Sequence, residues 1–434
     1  MSETAVKKDN VFRNRNFRLV FFGALVSDLG AVLYSFAVSF YILEISGNNA
    51  FLQGIYLALC SAVLLLSTPV GGVLGDRFSK AAIMFICDYL KGGLILLAMA
   101  GILAFPAPQM QMAVLFAAGI IGNVISGIFS PSAGAILPHI VAEDRLQQAN
   151  AYFSAKSSLQ SVAGVILAGI LYAALPVHRL FLIVGICYLL SGVSEMFIRC
   201  SFSSPEEKLT VRLVFEDMKD GLQYLKQQKA ILALLSAILF VNFFLNPVTG
   251  NFIPFFVKTD ISGAGTYLFD RFLTPELWSS VFSMLAGIGM LAGSMVLSAG
   301  KTEEKCGRKT AVRLCVIAVM MLLLTACYRV LVYAGVSLNV FLSLFCAGCL
   351  LLGWLLASIN IPINTAVMRI VERDKLSKVT SMISMISMGL LPVSSVLAGA
   401  VLQYAGSTLL LLVCSLGFTA AALSLLFSRA VQEI

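Results

Sequence analysis

Charge is scarce in this chain: Asp, Glu, Lys and Arg make up 12% of its 434 residues, against roughly 25% in an ordinary soluble domain. Histidine is almost missing, with only His139 and His178, both at the ends of expected helices. No His, Cys and Ser cluster has hydrolytic spacing, which argues against an intramembrane enzyme. No stretch between the apolar runs is long enough for a soluble domain, which argues against a receptor. The first apolar run is expected to stay as a helix and not to be a cleavable leader. The first apolar run far exceeds the roughly 7–15 residues of a signal core, and no small-residue cleavage site follows it. What fills the chain is apolar: 59% of residues, at a mean hydropathy of +0.93. That much cannot hide inside one water-soluble core and must face lipid, which excludes a soluble enzyme and a nucleic-acid binder.

The ten cysteines lie mostly within apolar runs and behave as small hydrophobes. Cys346 and Cys349 form a C-x-x-C without a second ligand pair, so neither a metal site nor a disulfide framework is expected. Gly300-Lys301-Thr302 ends like a phosphate-binding loop, but the glycine needed upstream is Met295. No cofactor is expected.

A membrane-crossing helix needs about 20 mostly apolar residues. Such runs occur near 18–43, 52–74, 81–104, 112–136, 152–175 and 180–198, and again near 231–256, 277–299, 311–333, 338–361, 379–402 and 408–427. The expected fold is an all-α membrane protein whose twelve transmembrane helices form two six-helix bundles, 1–200 and 231–434. A charged amphipathic linker, 201–230, lies along the inner membrane surface, with Val211, Val214, Phe215, Met218, Leu222 and Leu225 at helical spacing. With the N-terminus inside, 25 Lys and Arg fall on the cytoplasmic side, Lys156 counted among them. Arg179, Lys258, Arg271 and Arg329 fall outside. This asymmetry predicts a multi-pass protein of the cytoplasmic (inner) membrane with both termini cytoplasmic. It also accounts for the net charge of +8 without nucleic acid.

Sliding the chain against itself by 230 residues aligns Ile140, Val141, Asp144 and Leu146 with Ile370, Val371, Asp374 and Leu376. Ser154, Ser157, Leu167, Ala168 and Gly169 then meet Ser384, Ser387, Leu397, Ala398 and Gly399. Shared membrane composition matches Leu and Ala readily, but not an Asp and two Ser held in register. The pattern points to a duplicated six-helix unit, which places a substrate site near the midplane between the halves.

The stretch Gly72-Val73-Leu74-Gly75-Asp76-Arg77-Phe78-Ser79-Lys80 resembles the loop 2–3 signature of the major facilitator superfamily, G-x-L-x-D-R-x-G-R/K, with Ser79 in place of a glycine. The resemblance implies the major facilitator fold and a cytoplasmic gate at Gly72, Asp76, Arg77 and Lys80, with Asp76 facing the N-terminus of helix 11. The simpler alternative is a topogenic loop. Three further stretches are similar to the macrolide-efflux and enterobactin-exporter-like branch. They are Ser130-Pro131 with Ala135-Ile136-Leu137-Pro138, Gly221-Leu222-Gln223-Tyr224-Leu225, and Asn360-Ile361-Pro362-Ile363-Asn364-Thr365. Two antiporter features are absent. Asn123-Val124-Ile125-Ser126-Gly127 lacks the helix-4 arginine, and Gly164 is followed by Val165, not proline.

Charges inside apolar helices each need a reason, at about 2.5–3.5 kcal/mol apiece. Asp28 lies well within helix 1 with no basic residue nearby in its own helix, and is the first candidate for proton or cation coupling. A hydrogen-bonded structural acid is the alternative. Asp88 and Lys91, three apart on helix 3, are expected to pair. Glu195 and Arg199, near the end of helix 6, are expected to snorkel toward the interface. Asn242, Asn246, Asn360 and Asn364 repeat at four-residue spacing in helices 7 and 10, which line the cavity in the superfamily. With Asn123 they are candidates for substrate contact or, equally, for interhelical glue. Phe240, Phe243, Phe244, Phe252, Phe255 and Phe256 make helix 7 aromatic, suited in part to a lipophilic ligand. The expectation is a monomeric, alternating-access exporter of a bulky amphiphile such as a macrolide-like drug, driven by protons or another cation. Export of an endogenous siderophore or lipid-like molecule is the alternative.

Overall fold

The computed structural model describes residues 11–142, 145–199, 229–261, 274–299, 306–334, 338–370, 383 and 385–427. These form helices joined by short turns, with no strand among the described residues. Lipid offers no hydrogen bonds, so each crossing segment must satisfy its own backbone, and helices do this. The linker expected at 201–230 falls almost wholly outside the described residues.

The first bundle consists of α1 (Arg15–Ile45), α2 (Ala50–Arg77), α3 (Lys80–Ala104), α4 (Pro108–Ala135), α5 (146–174) and α6 (Val177–Met196). Asn14 caps α1 by accepting from the Asn16 and Phe17 amides, and Asn49 caps α2 through the Leu52 amide. The short turn Ser46–Asn49 marks the end of the bundle far from the chain start. The second bundle holds α7 (229–261), α8 (Pro275–Ala299), α9 (Cys306–Ala334), α10 (Leu338–Ile370), α11 (391–405) and α12 (407–426). α5 widens into a π turn at Gln160–Gly164, and α7 at Pro247–Phe252 and Val257–Ile261, where Pro247 and Pro254 withhold backbone donors.

Eleven apolar spans occur among the described residues, and the last, Met385–Leu426, is 42 residues long. At 1.5 Å per residue it would reach about 63 Å, twice the ~30 Å hydrocarbon core. It crosses twice, turning at Gly406, whose φ of 82° and ψ of 171° lie in a region nearly reserved for glycine. Divided there, the spans among the described residues number twelve, in line with the hydropathy pattern.

Helix neighbours repeat between the bundles. In the first, α1 packs on α6, α2 on α4, and α3 on both α4 and α6. In the second, α7 packs on α12 through Phe244 and Gly417, α8 on α10, and α9 on α10 and α12. Every pairing recurs six helices later. The α8–α10 seam depends on glycine: a Cβ on Gly289 or Gly353 would run into the main chain at Leu350 or Ala286. Close backbone approach of this kind is how helices gain packing in lipid, where no hydrophobic force drives them together. Between the bundles α2 meets α11, where Gly54 lies against Ser395 and Gly399. α5 meets α8, where Gly169 lies against Ser280. Leu66, Leu97 and Leu323 point outward, each more than 60% exposed, as lipid-facing side chains should.

Candidate transport site

Asp28 sits midway along α1, but it is not alone. Lys156 of α5 reaches it, Nζ to Oδ2 at 2.5 Å, and Gln160 of the π turn donates to the Asp28 carbonyl at 3.2 Å. Lys156 therefore is not a cytoplasmic loop lysine. Its side chain is 6% exposed, while that of Asp28 is 36% exposed. The ammonium also lies 4.9 Å from the Phe153 ring centroid.

The Asp88–Lys91 pair is not closed. Lys91 Nζ donates to Ser126 Oγ of α4 at 2.6 Å and lies 4.9 Å from the Tyr188 ring, while Asp88 Oδ2 has no hydrogen-bond partner. Spacing alone permits the pair, but the lysine is long enough to reach the next helix. Glu195 does not snorkel either. It is fully buried against Gly23 of α1, and neither carboxyl oxygen has a partner.

The amides divide. Asn242 Nδ2 donates to the Ser387 carbonyl at 3.1 Å, and Asn246 lies 3.5 Å from Ser395 Oγ. Asn251, which the sequence pattern did not single out, reaches the Ser395 carbonyl at 3.4 Å. These three tie α7 to its neighbours in the second bundle. Asn123 donates to Gly119 in its own helix, Asn360 is exposed on α10, and the side chain of Asn364 lies outside the described residues. Ser157 Oγ bonds the Phe153 carbonyl, and Ser384 is likewise outside the description. Phe252 and Phe256 are core residues, stacked 5.3 Å apart among Tyr328, Phe341 and Phe345, so they face no ligand.

At the loop 2–3 signature, Lys80 Nζ donates to the Gly75 carbonyl at 3.2 Å, Arg77 is exposed, and Gly72 has open space beside it. The Asp76 side chain and the start of helix 11 lie outside the described residues. The helix that the small residues of α2 approach here is α4, where Gly75 packs against Ser132.

A second ionic cluster, missed in the sequence because its members stand far apart, lies at the far end. Lys258 of α7 contacts Glu276 of α8 at 3.1 Å and Glu44 of α1 at 3.5 Å, and Tyr172 of α5 donates to Glu44 at 3.2 Å. Gln403 of α11 accepts from the Ala50 amide at 2.9 Å. Both links join the two bundles at this end. A cavity of about 550 Å³ nearby, lined by Tyr41, Glu44, Gln111, Tyr172 and His178, belongs to the first bundle alone.

Two bundles of repeated topology, linked at the far end by Glu44–Lys258 and Ala50–Gln403, have the architecture of a membrane transporter. The model of the Major Facilitator Superfamily matches residues 20–328, and the chain belongs to that family. It is 24% identical over 298 residues to the uncharacterized MFS-type transporter YkuC of Bacillus subtilis, covering 66% of this chain and 65% of that protein. It is 22% identical over 292 residues to macrolide efflux protein A of Streptococcus pyogenes, covering 65% and 67%. The match spans less than two thirds of YkuC, and 55% of a second Bacillus subtilis transporter, YfiS. The fold is similar to that of a POT family transporter, with a TM-score of 0.73 at 13% identity over 95% of each chain. It also resembles a bacterial homologue of the iron transporter ferroportin, with a TM-score of 0.69 at 16% identity over 95% and 100%.

Proposed function

We propose that this protein exports a bulky amphiphilic compound, macrolide-like in size and polarity, across the cytoplasmic membrane in exchange for protons. The observation that carries the coupling is the Asp28–Lys156 pair. Protonation of Asp28 releases Lys156, and an unpaired buried ammonium is costly enough to drive rearrangement of α1 against α5. The links at the far end, Glu44–Lys258 and Ala50–Gln403, fit a state closed on one side. With both termini cytoplasmic, as the lysine and arginine asymmetry favours, that side is the outer one. Likeness to macrolide efflux protein A supports the cargo class. One chain contains both bundles, so a monomer suffices. Gate contacts at Gly72, Asp76, Arg77 and Lys80 would then close the opposite end, and Asn360 would be available for substrate.

The test is uptake of a labelled macrolide into inverted membrane vesicles with an imposed pH gradient. Uptake that collapses when the gradient is dissipated, and in Asp28→Asn, supports the reading. Uptake indifferent to both overturns it. Export of an endogenous siderophore or lipid-like metabolite would appear instead as its loss from the medium of a deletion strain with unchanged drug susceptibility.

A further inference from the structure

We propose that Asp88, Ser191 and Glu195 form an occluded site for one monovalent cation, H⁺ or Na⁺, inside the first bundle and separate from the Asp28–Lys156 pair. The site lies where α1 and α3 pack against α6: Ser191 and Glu195 stand against Gly23 of α1, and Asp88 comes from α3. Three carboxyl oxygens there are buried without a hydrogen-bond partner, Asp88 Oδ2 and both of Glu195, and the Ser191 hydroxyl adds a fourth buried oxygen. Their residues are 2%, 1% and 0% exposed. Buried polar atoms in folded proteins almost always find partners, so three orphaned carboxyl oxygens around one buried hydroxyl point to an occupant.

The surroundings are consistent with this. Gly23 of α1 covers the spot, and a Cβ there would stand 3.3 Å from Ser191 Oγ and 3.5 Å from Glu195 Cγ. The Ser191 hydroxyl lies beside Asp88. The charges acting on Glu195 are Asp88 and Asp28, both of its own sign. Lys91 offsets part of the Asp88 charge but spends its hydrogen bond on Ser126, and Lys156 is committed to Asp28. Cys87 and Tyr188 are the remaining titratable neighbours, and neither carries positive charge. Two bare carboxylates in a dry seam repel each other and forgo hydration. One bound cation removes both penalties.

The donors are all hard oxygens, which suit a proton or Na⁺. Among the described residues no group of three or more His, Cys, Asp or Glu is placed for a metal ion, so a transition metal does not fit. The site is closed to solvent while Asp28 is open, so its occupant exchanges only when α3 and α6 move.

Infrared difference spectroscopy on the full-length protein in lipid nanodiscs tests this without any transport assay. Carboxyl bands are followed through a pH titration, in NaCl and in choline chloride of equal ionic strength. A carboxyl signal that survives in Asp28→Asn but disappears in Glu195→Gln supports the site. If Asp88→Asn folds better, the same loss is expected there. A protonated-carboxyl band identical in both salts identifies the proton, and a band that shifts only in NaCl identifies Na⁺. Wild-type spectra indistinguishable from those of folded Glu195→Gln and Asp88→Asn, with no effect of NaCl, would overturn the proposal. Loss of macrolide transport with an intact band would count against the exporter reading alone.

Discussion

Lys156 Nζ on α5 lies 2.5 Å from Asp28 Oδ2 on α1, across 128 residues of chain. Fully buried ion pairs cost about 3–5 kcal/mol when one partner is removed, because the other is left uncompensated. Here Asp28 is a third exposed, so the penalty should fall below that range, and it should fall unequally. Lys156→Ala leaves an acid that water can reach; Asp28→Asn strands a buried ammonium. Asp28→Asn should therefore lower the melting temperature in detergent more than Lys156→Ala. The double variant should recover stability but not transport. Equal losses that simply add in the double variant would show that the two groups do not interact.

The far-end link between Glu44 and Lys258 is partly exposed and should contribute about 1 kcal/mol or less. Its effect is on populations. Glu44→Gln should raise the reactivity of a cysteine placed at Ser46 by up to about fivefold, at ~1 kcal/mol of shifted equilibrium. Unchanged labelling would show that this link does not hold the bundles together.

Gly353 faces the Ala286 main chain across the α8–α10 seam. Overpacking a core costs typically about 1–3 kcal/mol. Here the obstacle is backbone, which cannot swing aside, so Gly353→Val should meet or exceed the upper value. Thermal denaturation in detergent checks this, and a melting temperature within error of wild type would contradict the seam.

Gly406 has nothing within 4 Å of where a Cβ would stand, yet its φ is 82°. Gly406→Ala should therefore cost about 1–3 kcal/mol through backbone strain alone. Substitution by alanine at neighbouring Ser407, which is helical, should cost less. The same thermal measurement separates the two.

The crossings were legible in the sequence because lipid imposes a length and a polarity on every span, and both are local properties. Asp28 stood out for the same reason. Its partner did not, since α1–α5 contact depends on how each helix is rotated, which packing decides. Lys156 follows the loop bearing Arg145 and reads as a topogenic charge, but the helix begins at Leu146 and carries it ten residues in, about three turns. Asp88 and Lys91 show the converse: i, i+3 spacing makes a pair possible, but α4 presents Ser126 within reach of the longer side chain. Glu195 sits at the end of its helix, where snorkelling is normal. Packing of α3 and α1 over it closes that route, and nothing in the local sequence announces this.

The most direct test of the account is proton-driven drug movement through the purified protein. Proteoliposomes loaded with a pH-sensitive dye, given an outward-directed macrolide gradient, should show proton entry that depends on the macrolide, is lost in Asp28→Asn, and returns in Asp28→Glu. Proton flux in wild type that ignores the macrolide, or an Asp28→Asn protein that matches wild type, would contradict it.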